Sequence, residues 1–138
     1  MNISLKLKQV SGEITIPTSK SLSQRLCAAA LLHKGTSTLH NFGKSADELA
    51  ALSIIKSLGA ELTQSNNTIS VKSDGSLHGN GTIHCSESGL AARLFTPIAA
   101  LSDLPISIEG SGSLLKRPMH FFADVLQELN VTLIDFDG

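Results

Sequence analysis

The sequence predicts a mixed α/β fold of the α+β class, built from two copies of a βαβαββ unit. Helix-like and strand-like patterns alternate along the 138 residues, and the order of the first half recurs in the second. The recurrence extends to individual residues, because the Arg-Leu pair at 25–26 aligns with the pair at 93–94, and 57–62 aligns with 128–133 at nearly the same offset. Accidental similarity between alternating helices and strands is the other interpretation of these matches.

We expect three divisions along the chain. Alternating apolar and polar residues predict short N-terminal strands over 1–16, followed by a first unit over 17–80 and a second, incomplete unit over 81–138. In the first unit, an apolar run predicts a helix from about 21 to 33, which Gly35 closes. The other elements expected in this unit are a strand over 36–41, a helix from 45 to 58 that ends at Gly59, and two strands around Asn66-Asn67.

The second unit repeats this order but stops before its last strands. Pro97 predicts a kink or an early end in its first helix, because proline has no backbone N–H to donate. The sequence stops at 135–138, where an Asp-Gly pair would begin the hairpin that the first unit makes near residue 66. We therefore expect the chain to be a fragment of a longer protein.

Composition and charge argue against several classes of function. The net charge is −1, and the chain has no Trp, no Tyr and no basic block, so a nucleic-acid surface is not expected. Cys27 and Cys85 are isolated and the histidines lack ligand spacing, so neither a disulfide nor a metal site is expected. No apolar run is long enough to span a membrane, and the start lacks a signal-peptide core. We expect a cytoplasmic protein that acts on small molecules.

The clearest functional pattern is the sequence Pro-Thr-Ser-Lys-Ser-Leu-Ser-Gln-Arg at 17–25. Lys20 and Ser21 lie at a predicted helix start, and Arg25 follows Ser21 by four residues on the same helix face. Free N–H groups and the helix dipole attract anions to such a start. The pattern therefore predicts a phosphate site, with a serine N-cap beside two solvated cations as the alternative.

Two further segments combine glycine or arginine with a predicted helix start. Gly89 begins a helix that carries Arg93 one turn later, and the missing side chain lets a ligand approach the backbone. Arg117 ends a Gly/Ser-rich loop, and the next residue, Pro118, suits the first position of a helix. A guanidinium group can hold phosphate or carboxylate through two parallel hydrogen bonds. The alternative for Gly89 and Arg93 is a plain helix start with a structural salt bridge.

The sequence Ile-Pro-Thr-Ser-Lys-Ser at 16–21, with Arg25 and the alanine-rich run that ends at Gly35, resembles the N-terminal signature of one enolpyruvyl transferase family. This family is the 5-enolpyruvylshikimate-3-phosphate synthases. In the sister family, which acts on UDP-N-acetylglucosamine, the lysine typically lies in an Ala-Lys-Asn sequence. The two serines that flank Lys20 favour the shikimate family.

The resemblance implies an inside-out α/β barrel whose two domains contain six βαβαββ units, of which this chain would be a truncated part. The segment 1–16 would then belong to, or lead to, the other domain. The implied reaction moves the enolpyruvyl group of phosphoenolpyruvate to the 5-hydroxyl of shikimate 3-phosphate and releases phosphate, without a metal or organic cofactor. The full enzyme would be a monomer. The fragment alone would lack the acid and base residues, would be inactive, and could self-associate through its open face.

The resemblance also assigns roles to single residues. Lys20 is the implied catalytic residue and contacts both substrates. The implied binding residues are Lys20, Ser21 and Arg25 for shikimate 3-phosphate, and Lys20, Gly89 and Arg117 for phosphoenolpyruvate. Arg93 and Asp47 are further candidates, although capping of the second helix is the expected role of Asp47.

Two residues near Gly89 depart from the Asn-Ala-Gly-Thr pattern that is typical of the family. Glu87 adds a negative charge close to the proposed anion site, and Leu90 removes a hydroxyl group. Two other functions therefore stay open. One is a fragment of the UDP-N-acetylglucosamine enolpyruvyl transferase, and the other is a non-catalytic βαβαββ module that binds another anion or RNA. The near-neutral charge disfavours RNA.

Overall fold

The computed structural model describes residues 3, 4, 6, 9–79 and 81–134. Helices and strands alternate through these residues, which confirms the predicted mixed class. The α-helices are α1 (Lys20–Leu32), α2 (Ala46–Ser57), α3 (Gly89–Ala99) and α4 (Ala123–Glu128). The strands are β1 (Gly35–His40), β2 (Glu61–Ser65), β3 (Thr68–Ser73), β4 (Gly81–His84) and β5 (Ile106–Glu109). Two 3₁₀-helices, Gly112–Lys116 and His120–Phe122, lie between β5 and α4.

Serine side chains define the starts of the first two helices. Ser19 is the N-cap of α1, where its hydroxyl accepts a hydrogen bond from Leu22 N at 3.4 Å. Ser45 and Glu48 form a complete capping box at α2, with Ser45 N donating to the Glu48 carboxylate at 3.0 Å. Both helices begin within one residue of the predicted positions, because capping is a local signal.

The first unit forms a three-stranded antiparallel sheet in the order β1-β3-β2. Its β2–β3 hairpin turns at Asn66, whose φ of 50° places it in the left-handed region that asparagine tolerates. Ile69 and Val71 of β3 are buried, and β3 packs against α1. The strands predicted over 36–41 and around Asn66-Asn67 are therefore confirmed.

The second unit contributes β4 and β5, which pair in parallel with Ile83 opposite Ile108. Helix α3 connects these strands and packs against α1 and α2. Phe95 of α3 is fully buried in the same cluster as Leu31 of α1 and Ile54 of α2. Helices α1, α2 and α3 therefore share one apolar core.

Two predictions concern the ends of the chain. Residues 9–19 lie in neither a helix nor a strand, so the strand predicted within 1–16 is wrong over 9–16. The apolar residues there, Ile14 and Ile16, are exposed, and no described strand pairs with this segment to satisfy its backbone groups. Residues 1, 2, 5, 7 and 8 and the hairpin expected at 135–138 lie outside the described residues. The boundaries at 16 and 80 stay predictions.

None of the helices among the described residues has the length and apolar character needed to cross a bilayer. Within the same residues, no three His, Cys, Asp or Glu side chains are grouped closely enough to hold a metal ion. Burial raises the pKa of the Cys27 thiol to about 12 and that of the Cys85 thiol to about 11, with Glu48 adding to the effect at Cys27. Both thiols are therefore protonated at neutral pH.

Candidate functional site

A cavity of about 370 Å³ lies where α1, α2 and α3 begin. The predicted site residues that line it are Lys20, Ser21, Asp47, Gly89 and Arg117. The other lining residues are Gln24, Glu87, Ser88 and Leu90. Arg25 and Arg93, which the sequence also indicated, do not line the cavity. The structure thus brings together residues from four separate segments of the sequence.

The start of α1 carries Lys20, Ser21 and Arg25. The Arg25 guanidinium donates to Ser21 Oγ at 2.8 Å and to Ser21 O at 3.0 Å, so these residues share one helix face as predicted. Lys20 Nζ lies 2.9 Å from Asp47 Oδ2 at the start of α2. The N-cap is Ser19, which leaves Ser21 within the first helical turn and available to the cavity.

Asp47 was expected to cap α2, and this prediction is wrong. Ser45 is the N-cap, and Glu48 completes the capping box. Asp47 lies in the first turn, where its carboxylate reaches across to Lys20. The cap and the ion pair therefore use different acidic residues, although the two are adjacent in the sequence.

The start of α3 brings two guanidinium groups close to the backbone. Gly89 is the first residue of α3, and Ser88 Oγ caps the helix by accepting from Ala91 N at 3.1 Å. A Cβ at Gly89 would overlap Nη1 of Arg117 and would lie 2.7 Å from Nη1 of Arg93. Arg93 also donates to Gly89 O at 3.1 Å. Glycine at this position therefore lets the ends of two arginine side chains approach the helix start.

Arg93 makes no ion pair with any residue that the structure describes, so the salt bridge considered for it is not observed. Instead, its guanidinium carbon lies 5.6 Å from the centre of the Phe121 ring. That distance fits a cation–π contact. The contact, together with the hydrogen bond to Gly89 O, orients Arg93 beside the cavity but outside its lining.

Arg117 was expected at the N-terminus of a helix, and this prediction is wrong. The loop before it folds into the 3₁₀-helix Gly112–Lys116, and Arg117 caps the C-terminal end of that helix. Burial of Leu114 in the core draws the loop inward and explains the difference. The guanidinium still reaches Gly89, and it donates to Ser113 Oγ at 3.3 Å.

Sequence patterns did not identify Gln24, which lies one turn beyond Lys20 and is 1% exposed. Its side-chain oxygen accepts from Ser88 Oγ at 2.9 Å, and its amide nitrogen donates to Lys20 O at 3.3 Å. Gln24 therefore links the start of α1 directly to the N-cap of α3. A large polar side chain on a helix face that is otherwise formed mainly by small and apolar residues is the signal that could have identified it.

Sequence patterns also missed the buried position of Glu48, which is 2% exposed. Its carboxylate accepts from Ser23 Oγ at 2.7 Å, Thr18 Oγ1 at 3.2 Å and Ser45 Oγ at 2.7 Å. Burial by itself raises the pKa of Glu48, but the hydrogen bonds from Ser45, Ser23 and Thr18 together hold it below the ordinary value. A Cβ at Gly43 would overlap this carboxylate. Glu48 thus joins the segment before α1 to α1 and α2.

The lining of the cavity has balanced charge. Lys20 and Arg117 are its cations, and Asp47 and Glu87 are its carboxylates. Ser113 N donates to Glu87 Oε2 at 2.9 Å. Hydrogen bonds from the Ser113 backbone and side chain, with the charge of Arg117, hold the pKa of Glu87 low, while desolvation and the charge of Asp47 oppose them. Glu87 is therefore ionised at neutral pH.

The chemistry suited to this cavity is the binding and orientation of a small anion. Two helix starts supply first-turn N–H groups, which have no partner within their own helices. Lys20 and Arg117 add positive charge, and Ser21 adds a hydroxyl group. A larger cavity of about 410 Å³ beside α2 and the ends of β4 and β5 has no lysine or arginine in its lining. The smaller cavity is thus the better candidate for an anionic ligand.

Replacement of Gly89 by alanine tests the close approach at α3. We expect Gly89→Ala to reduce the affinity for inorganic phosphate about tenfold, because the new methyl group displaces the Arg117 guanidinium. The atoms it meets are the ends of flexible side chains, so we expect the free energy of unfolding to change by less than about 1 kcal/mol. Calorimetric titration and urea unfolding measure the two effects. Unchanged phosphate affinity would contradict the proposed role of the glycine.

Comparisons of the sequence and the structure with known proteins all indicate the same enzyme family. A family model described as EPSP synthase (3-phosphoshikimate 1-carboxyvinyltransferase) matches residues 5–135. The 3-phosphoshikimate 1-carboxyvinyltransferase of Methanobrevibacter smithii is 34% identical over 142 residues, which cover 100% of this chain and 32% of the relative. The enzyme of that name from Clostridium beijerinckii is 33% identical, with 99% of this chain and 33% of the relative covered.

A solved structure shows the same fold. EPSP synthase from Acinetobacter baumannii superposes with a TM-score of 0.75 at 24% sequence identity, covering 85% of this chain and 27% of that one. The chain spans about a third of the length of the curated relatives it matches. The family model matches a range of this chain, 5–135, that includes all the residues lining the cavity.

Proposed function

The chain belongs to the EPSP synthase family, and from this premise we propose that its cavity binds the anionic substrates of 3-phosphoshikimate 1-carboxyvinyl transfer. In that reaction, the enolpyruvyl group of phosphoenolpyruvate moves to the 5-hydroxyl of shikimate 3-phosphate, and inorganic phosphate is released. The observation that carries the proposal is the convergence of Lys20, Gly89 and Arg117 on one cavity at two helix starts. The family match favours neither the UDP-N-acetylglucosamine enzyme nor an RNA-binding module.

In this proposal, the two helix starts serve different substrates. Ser21 and Arg25 bind shikimate 3-phosphate at the start of α1, where Arg25, although outside the lining of the cavity, donates to the lining residue Ser21 at 2.8 Å. Gly89 and Arg117 bind phosphoenolpyruvate at the start of α3. Lys20 contacts both substrates, and its place in the same cavity lining as Ser21 and Gly89 supports this role.

The chemical contribution of these residues is electrostatic. Phosphoenolpyruvate carries phosphate and carboxylate charge, and addition followed by elimination shifts charge within the bound substrates. Fixed cations and N–H groups that face the shifting charge lower the barrier, and holding two substrates together lowers the entropic cost of their reaction. No metal or organic cofactor is part of this proposal. A cytoplasmic location and a monomeric full-length enzyme stay predictions from the family.

Titration with shikimate 3-phosphate tests the proposal. We expect Lys20→Met to weaken binding about tenfold to a hundredfold, because it removes a charge-assisted hydrogen bond and leaves Asp47 to repel the ligand phosphate. Isothermal calorimetry on the full chain measures the change.

The matched control is Lys72→Met on β3, where the lysine pairs with Glu61 outside the cavity. We expect this control to bind shikimate 3-phosphate as the unaltered chain does. Equal binding by the Lys20 variant and the unaltered chain would refute the assignment of Lys20. An absence of binding to the unaltered chain would refute the proposed substrate.

A further inference from the structure

The lining of the cavity contains two cations and two carboxylates of the same chain. Lys20 Nζ lies 2.9 Å from Asp47 Oδ2. On the other side, Glu87 lines the same cavity as Arg117 and accepts a hydrogen bond from Ser113 N at 2.9 Å, without forming an ion pair with Arg117. The anion site is therefore balanced by internal carboxylates when no ligand is bound.

The Glu87 carboxylate also contacts the start of the 3₁₀-helix Gly112–Lys116. Gly112 has a φ of +52°, and a Cβ there would lie 2.5 Å from the Glu87 carboxyl carbon, so the helix start closes tightly around this group. Ser113, which donates to Glu87 through its backbone, accepts from the Arg117 guanidinium at 3.3 Å through its hydroxyl. A continuous chain of contacts thus runs from Glu87 through Ser113 to Arg117.

We propose that Glu87 is a specificity-determining residue of this cavity, whose carboxylate adds a negative charge to the lining that an entering anion must overcome. This inference rests on the proposed function and extends it to the choice of ligand charge. The negative charge of Glu87 opposes a second negative charge near Gly89. Its hydrogen bond to Ser113 N favours anion binding, because it holds the segment that carries Arg117 in place.

The two effects can be separated by substitution. Glu87→Gln removes the charge and keeps a side-chain oxygen that can accept from Ser113 N. Glu87→Ala removes both the charge and the acceptor. The carboxylate is on the surface, and its described hydrogen bond is to the exposed Ser113, so both variants are expected to fold.

Inorganic phosphate is the probe, and calorimetric titration at low ionic strength is the measurement. We expect Glu87→Gln to bind phosphate about threefold to tenfold more tightly than the unaltered chain, because one nearby like charge is removed. We expect Glu87→Ala to bind more weakly than Glu87→Gln, because Arg117 is no longer held. The affinity for pyruvate, which has a single negative charge, should increase less in Glu87→Gln than the affinity for phosphate.

Glu61→Gln is the control with the same change in net charge, since Glu61 pairs with Lys72 on the sheet away from the cavity. We expect it to leave phosphate affinity unchanged. Equal or weaker phosphate binding by Glu87→Gln, or an equal gain in the Glu61 variant, would overturn the inference. So would an absence of phosphate binding to Glu87→Gln, which is expected to bind most tightly.

The failures of the two proposals are distinguishable. Tighter phosphate binding by Glu87→Gln without any binding of shikimate 3-phosphate would support the role of Glu87 and refute the proposed substrate. Binding of shikimate 3-phosphate that depends on Lys20, without any effect of Glu87→Gln on phosphate binding, would support the proposed substrate and refute the role of Glu87.

Discussion

Replacement of Glu48 by alanine is expected to reduce the free energy of unfolding by about 3 kcal/mol or more. The carboxylate accepts hydrogen bonds from Thr18, Ser23 and Ser45 while 2% exposed. Removing it leaves hydroxyl donors without this acceptor and destroys the α2 capping box, and each loss contributes about 1–3 kcal/mol. Urea unfolding followed by circular dichroism measures the change.

Glu48→Gln is the graded control, because it keeps an oxygen for Ser45 N and presents its amide to hydroxyl groups that can rotate to accept. We expect it to lose less stability than Glu48→Ala. A variant Glu48→Ala that unfolds at the same urea concentration as the unaltered chain would show that this network is not stabilising.

The unaltered chain and the Glu48→Gln variant should also differ in how strongly acid lowers their stability. The pKa of Glu48 in the folded state is lower than in the unfolded chain. The contribution of its ionisation to the free energy of unfolding is therefore complete above the unfolded pKa. That contribution decreases as the pH falls and protons bind to the folded carboxylate. Between neutral pH and about pH 3, stability should therefore fall more steeply in the unaltered chain than in Glu48→Gln. Parallel pH profiles would contradict the low folded-state pKa.

Replacement of Phe95 by alanine is the second change with a large expected effect. Phe95 is fully buried in the core that α1, α2 and α3 share. Loss of the ring removes buried apolar area and leaves a cavity, and such changes cost about 3–5 kcal/mol. For a chain of this size we expect the melting temperature to fall by about 10 °C or more.

Phe95→Leu is the matched control, since it keeps most of the side-chain volume and should cost about 1 kcal/mol. Scanning calorimetry of both variants measures the difference. A loss below about 1 kcal/mol in Phe95→Ala would mean that α3 repacks easily on its neighbours. The start of α3 would then be less firmly held than the buried core indicates.

Local patterns predicted the helices and the hairpin because the signals lie within a few residues of the structures they specify. The α2 capping box spans four residues, from Ser45 to Glu48, and the β2–β3 turn depends on Asn66. The strand expected within 1–16 is not observed over 9–16, because strand formation depends on a partner strand that local alternation does not supply.

Contacts between distant segments explain what the local patterns missed. Glu48 is buried because it meets Ser23 and Thr18, which lie 25 and 30 residues away along the chain. Arg117 reaches the cavity because Leu114 anchors the loop in the core, whereas Pro118 suggested a helix start at this point. The grouping of candidate site residues came from the family resemblance, because no local pattern relates residue 20 to residue 117.

The Gln24 bridge bears on the thermodynamics of ligand binding. Its amide joins the first turn of α1 to the N-cap of α3, so the two helix starts behave as a single preorganised receptor. The loss of rotational and conformational entropy that aligns them takes place when the chain folds, before any ligand arrives. Binding energy is therefore available for affinity and for orientation of the ligand, and is not consumed in assembling the site.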